Sequence, residues 1–238
     1  MKTTWKCTSN GRLVIGWALW LHVLPGLAQR PNPYLPSAVR VGADLIGVGT
    51  YVADRDRLRF ELSSDVDLRQ YFASFDYGYA RTNQSGTDFS YQNQGSYFRI
   101  GPDVNLLPAD AFGNVIFFGV RYARSFFSDQ LSFTQDTPPY GTNSFSERNN
   151  GLRAAWGEAT FGTKIQVAGQ VFIGFTGRYK FAMGTRGAGG LAPYEIPGFG
   201  KFASNGGFGL NYFIYYRFKF REKPPIIRSP KKKAPAES

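Results

Sequence analysis

Apolar and polar residues alternate along much of this chain, most clearly near its end. From Leu210 to Phe220 every even position is apolar or aromatic, whereas Asn211, Arg217 and Lys219 occupy odd positions. Successive side chains of a β-strand point to opposite faces of the sheet. The run therefore predicts a strand with one apolar, aromatic face and one face that carries charge.

Seven further runs predict strands by the same alternation. They are Val39 to Tyr51, Leu58 to Leu68, Tyr71 to Tyr79, Phe98 to Leu106, Ile116 to Tyr122, Glu158 to Ile165 and Val171 to Phe181. The first is the weakest, because Ile46 and Val48 break the alternation. Polar stretches at 83–94, 125–151 and 185–205 predict loops between strands. An all-β chain of eight strands, whose connections alternate between short and long in its later part, is typical of an up-and-down barrel; the short loop near 53–57, between the first two strands, is the exception.

Alternation alone fits a soluble barrel with an apolar interior and a membrane barrel with a polar interior. The sequence favours the membrane form, because the apolar face is rich in Tyr and Phe, as in aromatic girdles. The last strand also ends in an aromatic sequence similar to the C-terminal signal for insertion of outer-membrane barrels, although a basic tail follows it. The polar face carries both charges in near balance: Asp44, Glu61, Asp65, Asp67, Asp76, Asp103 and Glu158, with Arg57, Arg59, Arg99, Arg121, Lys164, Arg178, Lys180, Arg217 and Lys219. We therefore expect an eight-stranded antiparallel transmembrane β-barrel of the outer-membrane type.

The first 28 residues have the pattern of a signal peptide. A basic start is followed by an apolar segment from Leu13 to Val23 and by a small-x-small motif that ends at Ala28. The apolar segment is shorter than the roughly 20 residues that span a bilayer. We predict a signal peptide at 1–28, a lead segment at 29–37, an outer-membrane barrel at 38–220 and a basic periplasmic tail at 221–238. The expected location is the cell outer membrane.

Cleavage after Ala28 would remove the chain's single cysteine, Cys7, and its single histidine, His22. Disulfides, Cys/His zinc sites and histidine-dependent hydrolysis are then excluded. The glycine-rich stretch 184–190 lacks the Lys-Ser/Thr ending of a phosphate loop, and Glu158 has no acid/base partner at a defined spacing. We therefore expect no enzyme, no cofactor and no metal, and we assign no catalytic or binding residue.

Basic residues concentrate in the predicted tail. The net charge of +11 falls to +8 without the signal peptide, and half of that excess lies between Arg221 and Ser238. Four prolines and the run Lys231 to Lys233 predict an extended, disordered segment. Its charge suits anionic headgroups, peptidoglycan or an acidic envelope protein, and a tail without a partner is the alternative. Outer-membrane lipid is the other expected partner, and nucleic acid is not expected.

Several short blocks of sequence follow one another along the chain in an order that is similar to that of a known protein family. They are Gly95 to Leu107, Phe118 to Ala123, Trp156 to Glu158, Ile196 to Lys201 and Gly209 to Tyr212. Together they resemble the bacterial family catalogued as domain of unknown function 6048, over most of Ser37 to Phe220. The resemblance implies a small outer-membrane barrel and supplies no catalytic residue.

Two features keep alternative functions open. The interior charges, among them Arg99, Arg121, Arg178 and Arg217, either line an ion path or form a structural polar core, and the narrowness of eight strands favours the core. The stretch 193–200 either presents a partner surface or folds back over the barrel mouth. We expect a non-enzymatic structural or partner-binding component of the envelope, with a narrow channel for small solutes or ions as the alternative.

Overall fold

The computed structural model describes residues 35–222, apart from 111, 137, 140, 188–191 and 202–205. The predicted signal peptide, most of the lead segment and nearly all of the basic tail lie outside the described residues. Within the described part of the chain, no helix is both long enough and apolar enough to cross a membrane.

One antiparallel sheet accounts for all the long strands. Its strands are β1 Ala38–Asp44, β2 Arg57–Leu68, β3 Tyr71–Ser85, β4 Phe89–Asn105, β5 Val115–Asp136, β6 Thr142–Ala168, β7 Val171–Arg186 and β10 Gly206–Lys219. The single described helix, α1 Leu45–Ala53, follows β1, and two short strands, β8 Glu195–Ile196 and β9 Gly200–Lys201, pair with each other outside this sheet. The described strands close into a ring in the order β1, β10, β7, β6, β5, β4, β3, β2. The first and last strands pair, with Ala38 opposite Lys219. The predicted all-β, antiparallel class is confirmed.

Polar residues extend the strands beyond the predicted bounds. The stretch 125–151, predicted as a loop, is mostly a ladder between β5 and β6 that reaches Asp136 opposite Thr142. The stretch 83–94 likewise contains the end of β3 and the start of β4. Backbone hydrogen bonds between the strands stabilise these extensions although they have no apolar face. Single cross-strand pairs add to this, such as Phe133 with Phe145, whose ring centroids are 5.1 Å apart. The loop predictions were wrong because both faces of these extensions are largely polar.

The first strand is shorter than predicted. The run Val39 to Tyr51 was expected to be a strand throughout, but β1 ends at Asp44 and α1 follows directly. The Asp44 side chain caps the helix, because its Oδ2 accepts a hydrogen bond from the Gly47 N–H at 3.2 Å. Ile46 and Val48, which break the strand alternation, therefore belong to a helix.

The strands turn their apolar faces outward and their polar faces inward. Ile100 and Val120 on the outer face are each 51% exposed, whereas Asp103 and Glu158 inside the ring are fully buried. Buried apolar side chains form three separate small clusters, two of them of three residues each. The interior between them is filled by charged and polar groups, in agreement with the predicted faces.

Close packing inside the ring makes one glycine a sensitive position. A Cβ at Gly119 would lie 1.9 Å from Asp103 Oδ1 and 2.8 Å from the carbonyl oxygen of Pro102. We expect Gly119→Ala to lower the free energy of unfolding by about 1–3 kcal/mol, as overpacking does, measured by chemical denaturation. Gly177→Ala is the control, because its Cβ would meet no atom closer than 3.7 Å. Equal losses in the two variants would contradict this account.

Candidate functional site

The ring interior holds layers of paired charges. Near the end where β1 begins, Asp65 accepts hydrogen bonds from Arg40 Nε at 2.8 Å and from Lys164 Nζ at 2.6 Å. All three residues are buried. The Lys164 ammonium also lies within 5.3 Å of the ring centroids of Phe72, Phe117 and Tyr215. A carboxylate and several aromatic faces thus replace water around this lysine.

The next layer is built on Asp103 and Asp76. Arg121 binds Asp103 with both terminal nitrogens, at 2.5 and 2.8 Å, and Ser74 Oγ donates to the same carboxylate at 2.7 Å. Asp76 accepts a hydrogen bond from Arg178 Nη2 at 3.1 Å. Bidentate pairing fixes the orientation of the Arg121 guanidinium as well as its charge. Arg121 and Asp103 thus join the neighbouring strands β5 and β4, whereas Arg178 and Asp76 join β7 to β3 across the ring.

Two arginines and two glutamates form the third layer. Arg99 lies 2.7 Å from Glu61 and 2.9 Å from Glu158, and Arg178 lies 3.3 and 3.2 Å from the same two carboxylates. Each carboxylate also has a neutral donor at 2.7 Å, namely the Tyr97 hydroxyl for Glu61 and the Trp156 indole N–H for Glu158. The protein's own groups therefore occupy the oxygens of both glutamates.

At the end opposite to the start of β1, which we call the outer mouth, a short hairpin closes the ring above this layer. It comprises residues 194–201 and contains β8 Glu195–Ile196 and β9 Gly200–Lys201; we call it the plug. Ile196 and Phe199 are buried, and the Phe199 ring packs edge-to-face on Trp156 at 5.6 Å. Tyr194 stays 46% exposed and packs on Tyr91. Of the two interpretations of this stretch, the structure shows the one in which the loop folds back into the mouth.

Interior cations hold the plug by its backbone. Lys180 Nζ donates to the carbonyl oxygens of Gly198 and Phe199, at 2.9 and 3.0 Å, and Arg99 Nη2 donates to Gly198 at 2.9 Å. Gly198 has a φ of +83°, and a Cβ there would lie 2.6 Å from the Tyr97 ring. Only glycine fits this position, which places two carbonyls against the cations.

The other side of the plug is held by strand β4. Asn93 Nδ2 donates to the carbonyl of Glu195 at 2.8 Å, and the Glu195 N–H donates to the Tyr91 hydroxyl at 3.2 Å. Burial raises the pKa of Tyr91 to about 12, so the phenol is neutral at physiological pH. The plug is therefore anchored to the outer extension of β4 and to the charged interior together.

The structure buries most of the charged residues that the sequence assigned to the interior. Buried are Asp44, Glu61, Asp65, Asp67, Asp76, Asp103, Glu158, Arg99, Arg121, Lys164, Arg178 and Lys180. Arg57, Arg59, Arg217 and Lys219 lie at the ends of their strands and are more exposed. Sequence reasoning missed Arg40, although its place between the outward-facing Val39 and Val41 indicated it. Among the described residues, no group of three or more His, Cys, Asp or Glu is arranged to hold a metal ion.

The third charge layer supports a prediction about stability. Glu158→Gln would leave Arg99 and Arg178 with one carboxylate fewer in a buried site, so we expect a loss of about 3–5 kcal/mol in the free energy of unfolding, measured by chemical denaturation. Glu222→Gln is the matched control. Glu222 also pairs with a cation, Lys219, but its side chain is 87% exposed, and we expect a change below about 0.5 kcal/mol. Similar effects of the two substitutions would show that the buried network does not stabilise the ring.

Comparison with known proteins places the chain in a family. No curated protein and no solved structure matches it. The family profile described as Domain of unknown function (DUF6048) matches residues 29–223, which include every residue whose structure is described. The resemblance seen in the short sequence blocks is thereby confirmed, and the chain belongs to the DUF6048 family.

Proposed function

We propose that this protein is an outer-membrane β-barrel and acts as a non-enzymatic structural or partner-binding component of the cell envelope. The uncharged belt on the outer face of the ring carries the proposal. In the described strands, outward-facing side chains are uncharged over 58–68 in β2, 71–79 in β3, 96–104 in β4, 171–181 in β7 and 208–218 in β10. Tilted strands cross a bilayer in about 9–11 residues, and these stretches have that length.

Arginines mark the outer edge of this belt. Arg81, Arg124, Arg153 and Arg186 point outward on β3, β5, β6 and β7, and Arg153 lies opposite Arg186 in the ladder. Cations at the end of an apolar, aromatic belt suit the level of lipid phosphates. This arrangement supports a bilayer around the belt and an aqueous outer side above it.

Exposure of the belt argues against a soluble barrel. Phe118, Val120 and Phe161, from two neighbouring strands, are each at least 50% exposed, and similar side chains continue around the ring. Soluble monomers rarely expose continuous apolar surface larger than a few hundred Å². A soluble barrel would also bury apolar residues inside, where this ring buries ion pairs.

The filled interior favours a closed scaffold over a channel. Three charge layers and the plug occupy the ring, and the plug is bonded to Lys180, Arg99, Asn93 and Tyr91. A narrow channel, the alternative function, needs a continuous water path that these groups would have to leave free.

We propose that the basic tail, which follows the strand end where β1 begins, contacts anionic envelope components by charge.

The proposed location gives a first testable prediction. We expect the protein in the outer-membrane fraction, with a folded band on a denaturing gel that shifts on boiling, as for lipid-embedded barrels. In a planar bilayer, the purified protein should give no steady conductance, because the plug and ion pairs fill the interior. Recovery in the soluble periplasmic fraction without a shift would contradict the membrane location. Steady ion currents would favour the channel.

A substitution in the belt tests the bilayer directly. Ile100 lies mid-belt on the outer face of β4 and is 51% exposed. If lipid surrounds it, Ile100→Arg should destabilise the inserted barrel by about 2–4 kcal/mol, measured by urea titration in lipid vesicles. The control Gln92→Arg lies on the same face of the same strand, above the belt, and should change little. If Ile100→Arg is as harmless as the control, that face does not contact hydrocarbon.

A further inference from the structure

The wall of the ring is incomplete between β2 and β10. Strand β1 stops at Asp44, opposite Phe213 of β10, and its last partner in β2 is Leu62. Above that level, residues 206–212 of β10 and 57–61 of β2 have no strand between them. Helix α1 lies against both strands instead. The outer half of one wall strand is therefore replaced by a helix.

Asp44 forms hydrogen bonds to both flanking strands at the point where β1 ends. Its Oδ1 accepts a hydrogen bond from the Tyr212 N–H of β10 at 3.1 Å, and its Oδ2 accepts one from Arg59 Nη2 of β2 at 3.0 Å. On the β2 side, α1 packs closely, since a Cβ at Gly47 would lie 2.2 Å from the Arg59 carbonyl oxygen. The break in the wall thus lies above Asp44 and is bordered by α1, β2 and β10.

A cavity of about 330 Å³ lies at this part of the wall. Its lining includes Tyr97 and Arg99 from the interior, together with Leu58, Phe208 and Leu210, whose side chains point outward. Residues of both faces therefore border the cavity, at the place where β1 is missing from the wall. Its volume lies within the range of small-molecule sites, about 300–1,000 Å³.

The two ends of the cavity differ in chemistry. Outside, Phe208 is 85% exposed and Leu210 is 54% exposed. Inside, the lining carries four cations, Arg57, Arg59, Arg99 and Lys180, against two carboxylates, Glu61 and Glu195. Glu61 is bound by two arginines. The carboxylates that pair with Arg99, Arg59 and Arg57, namely Glu158, Asp44 and Asp54, lie outside the lining, so the charged groups that border the cavity here are mostly cations.

Arg59 retains capacity to bind an anion. Its Nη2 binds Asp44, but its Nε is buried and has no hydrogen-bond partner among the described residues. Arg57, beside it at the mouth, is 46% exposed and lies 3.4 Å from Asp54. A carboxylate or phosphate would satisfy the free N–H.

We infer that this opening binds a single-chain anionic amphiphile of the fatty-acid class. The carboxylate binds Arg59 and Arg57, and the acyl chain leaves the wall past Phe208 and Leu210 into the outer leaflet. The inference rests on the proposed membrane location, because only a bilayer brings lipid to this entrance.

Native mass spectrometry of the purified protein in mild detergent, titrated with palmitate, tests the site. We expect one palmitate per chain. Arg57→Gln and the double variant Arg57→Gln/Arg59→Gln should weaken binding, the double variant by about tenfold or more. Arg81→Gln is the control, because Arg81 lies opposite Leu58 in the ladder and is not part of the cavity lining, yet its loss removes the same charge. Its affinity should stay within about twofold of the parent protein. Methyl palmitate, which lacks the charge, should bind at least tenfold more weakly.

The gel shift separates failure of this inference from failure of the proposed function. A protein that shifts on boiling but binds palmitate no better than methyl palmitate would overturn the site and leave the membrane barrel intact. Equal affinities of the Arg57→Gln variant and the Arg81→Gln control would also overturn it, and neither of these arginines is buried enough to unfold the ring when replaced. A soluble protein without a gel shift would overturn both.

Discussion

Mutual neutralisation of buried charges is the constraint on which this structure depends. An unpaired charge inside a closed sheet is costly, and removing one partner of a buried pair costs more than the pair contributes. Arg178 shows how the chain meets the constraint, because this one guanidinium from β7 contacts carboxylates from β2, β3 and β6. Strands that are not neighbours in the ring are thus tied through its centre. The interior packs and the ring closes under the same condition, because each strand must place its charged residues at the height of their partners on other strands.

The plug extends the same network to the outer mouth. Arg99 serves both parts, with two carboxylates below and the carbonyl of Gly198 above. Lys180 contributes its charge to backbone carbonyls of the plug, which accept hydrogen bonds without adding a full negative charge. The mouth therefore stays closed through contacts that also stabilise the interior. A structure of this kind resists opening in its centre, so a proposed activity is more reasonably placed in the wall than along the axis.

The sequence predicted what depends on alternation and failed where other forces decide. Side-chain alternation fixes which face each residue takes, so the buried places of Glu158, Arg178 and most other interior charges followed from it. It gave no signal for the outer halves of β5 and β6, where polar residues lie on both faces and backbone pairing alone sets the strand length. Helix α1 depends on a single cap at Asp44, and the plug depends on contacts with strands far away in the chain. Such long-range contacts are not written in any local pattern.

The charge network also indicates where binding capacity remains. Inside the ring, the carboxylates of Glu61 and Glu158 are each bonded by three donors, and a site whose groups are all satisfied has little to offer a ligand. At the end of β1, one carboxylate, Asp44, serves the helix cap, the edge of β10 and Arg59 together. The Nε of Arg59 has no partner among the described residues there, at the place where β1 is missing from the wall. The shortening of a single strand therefore places the cavity in the wall beside the free arginine N–H that a ligand would use.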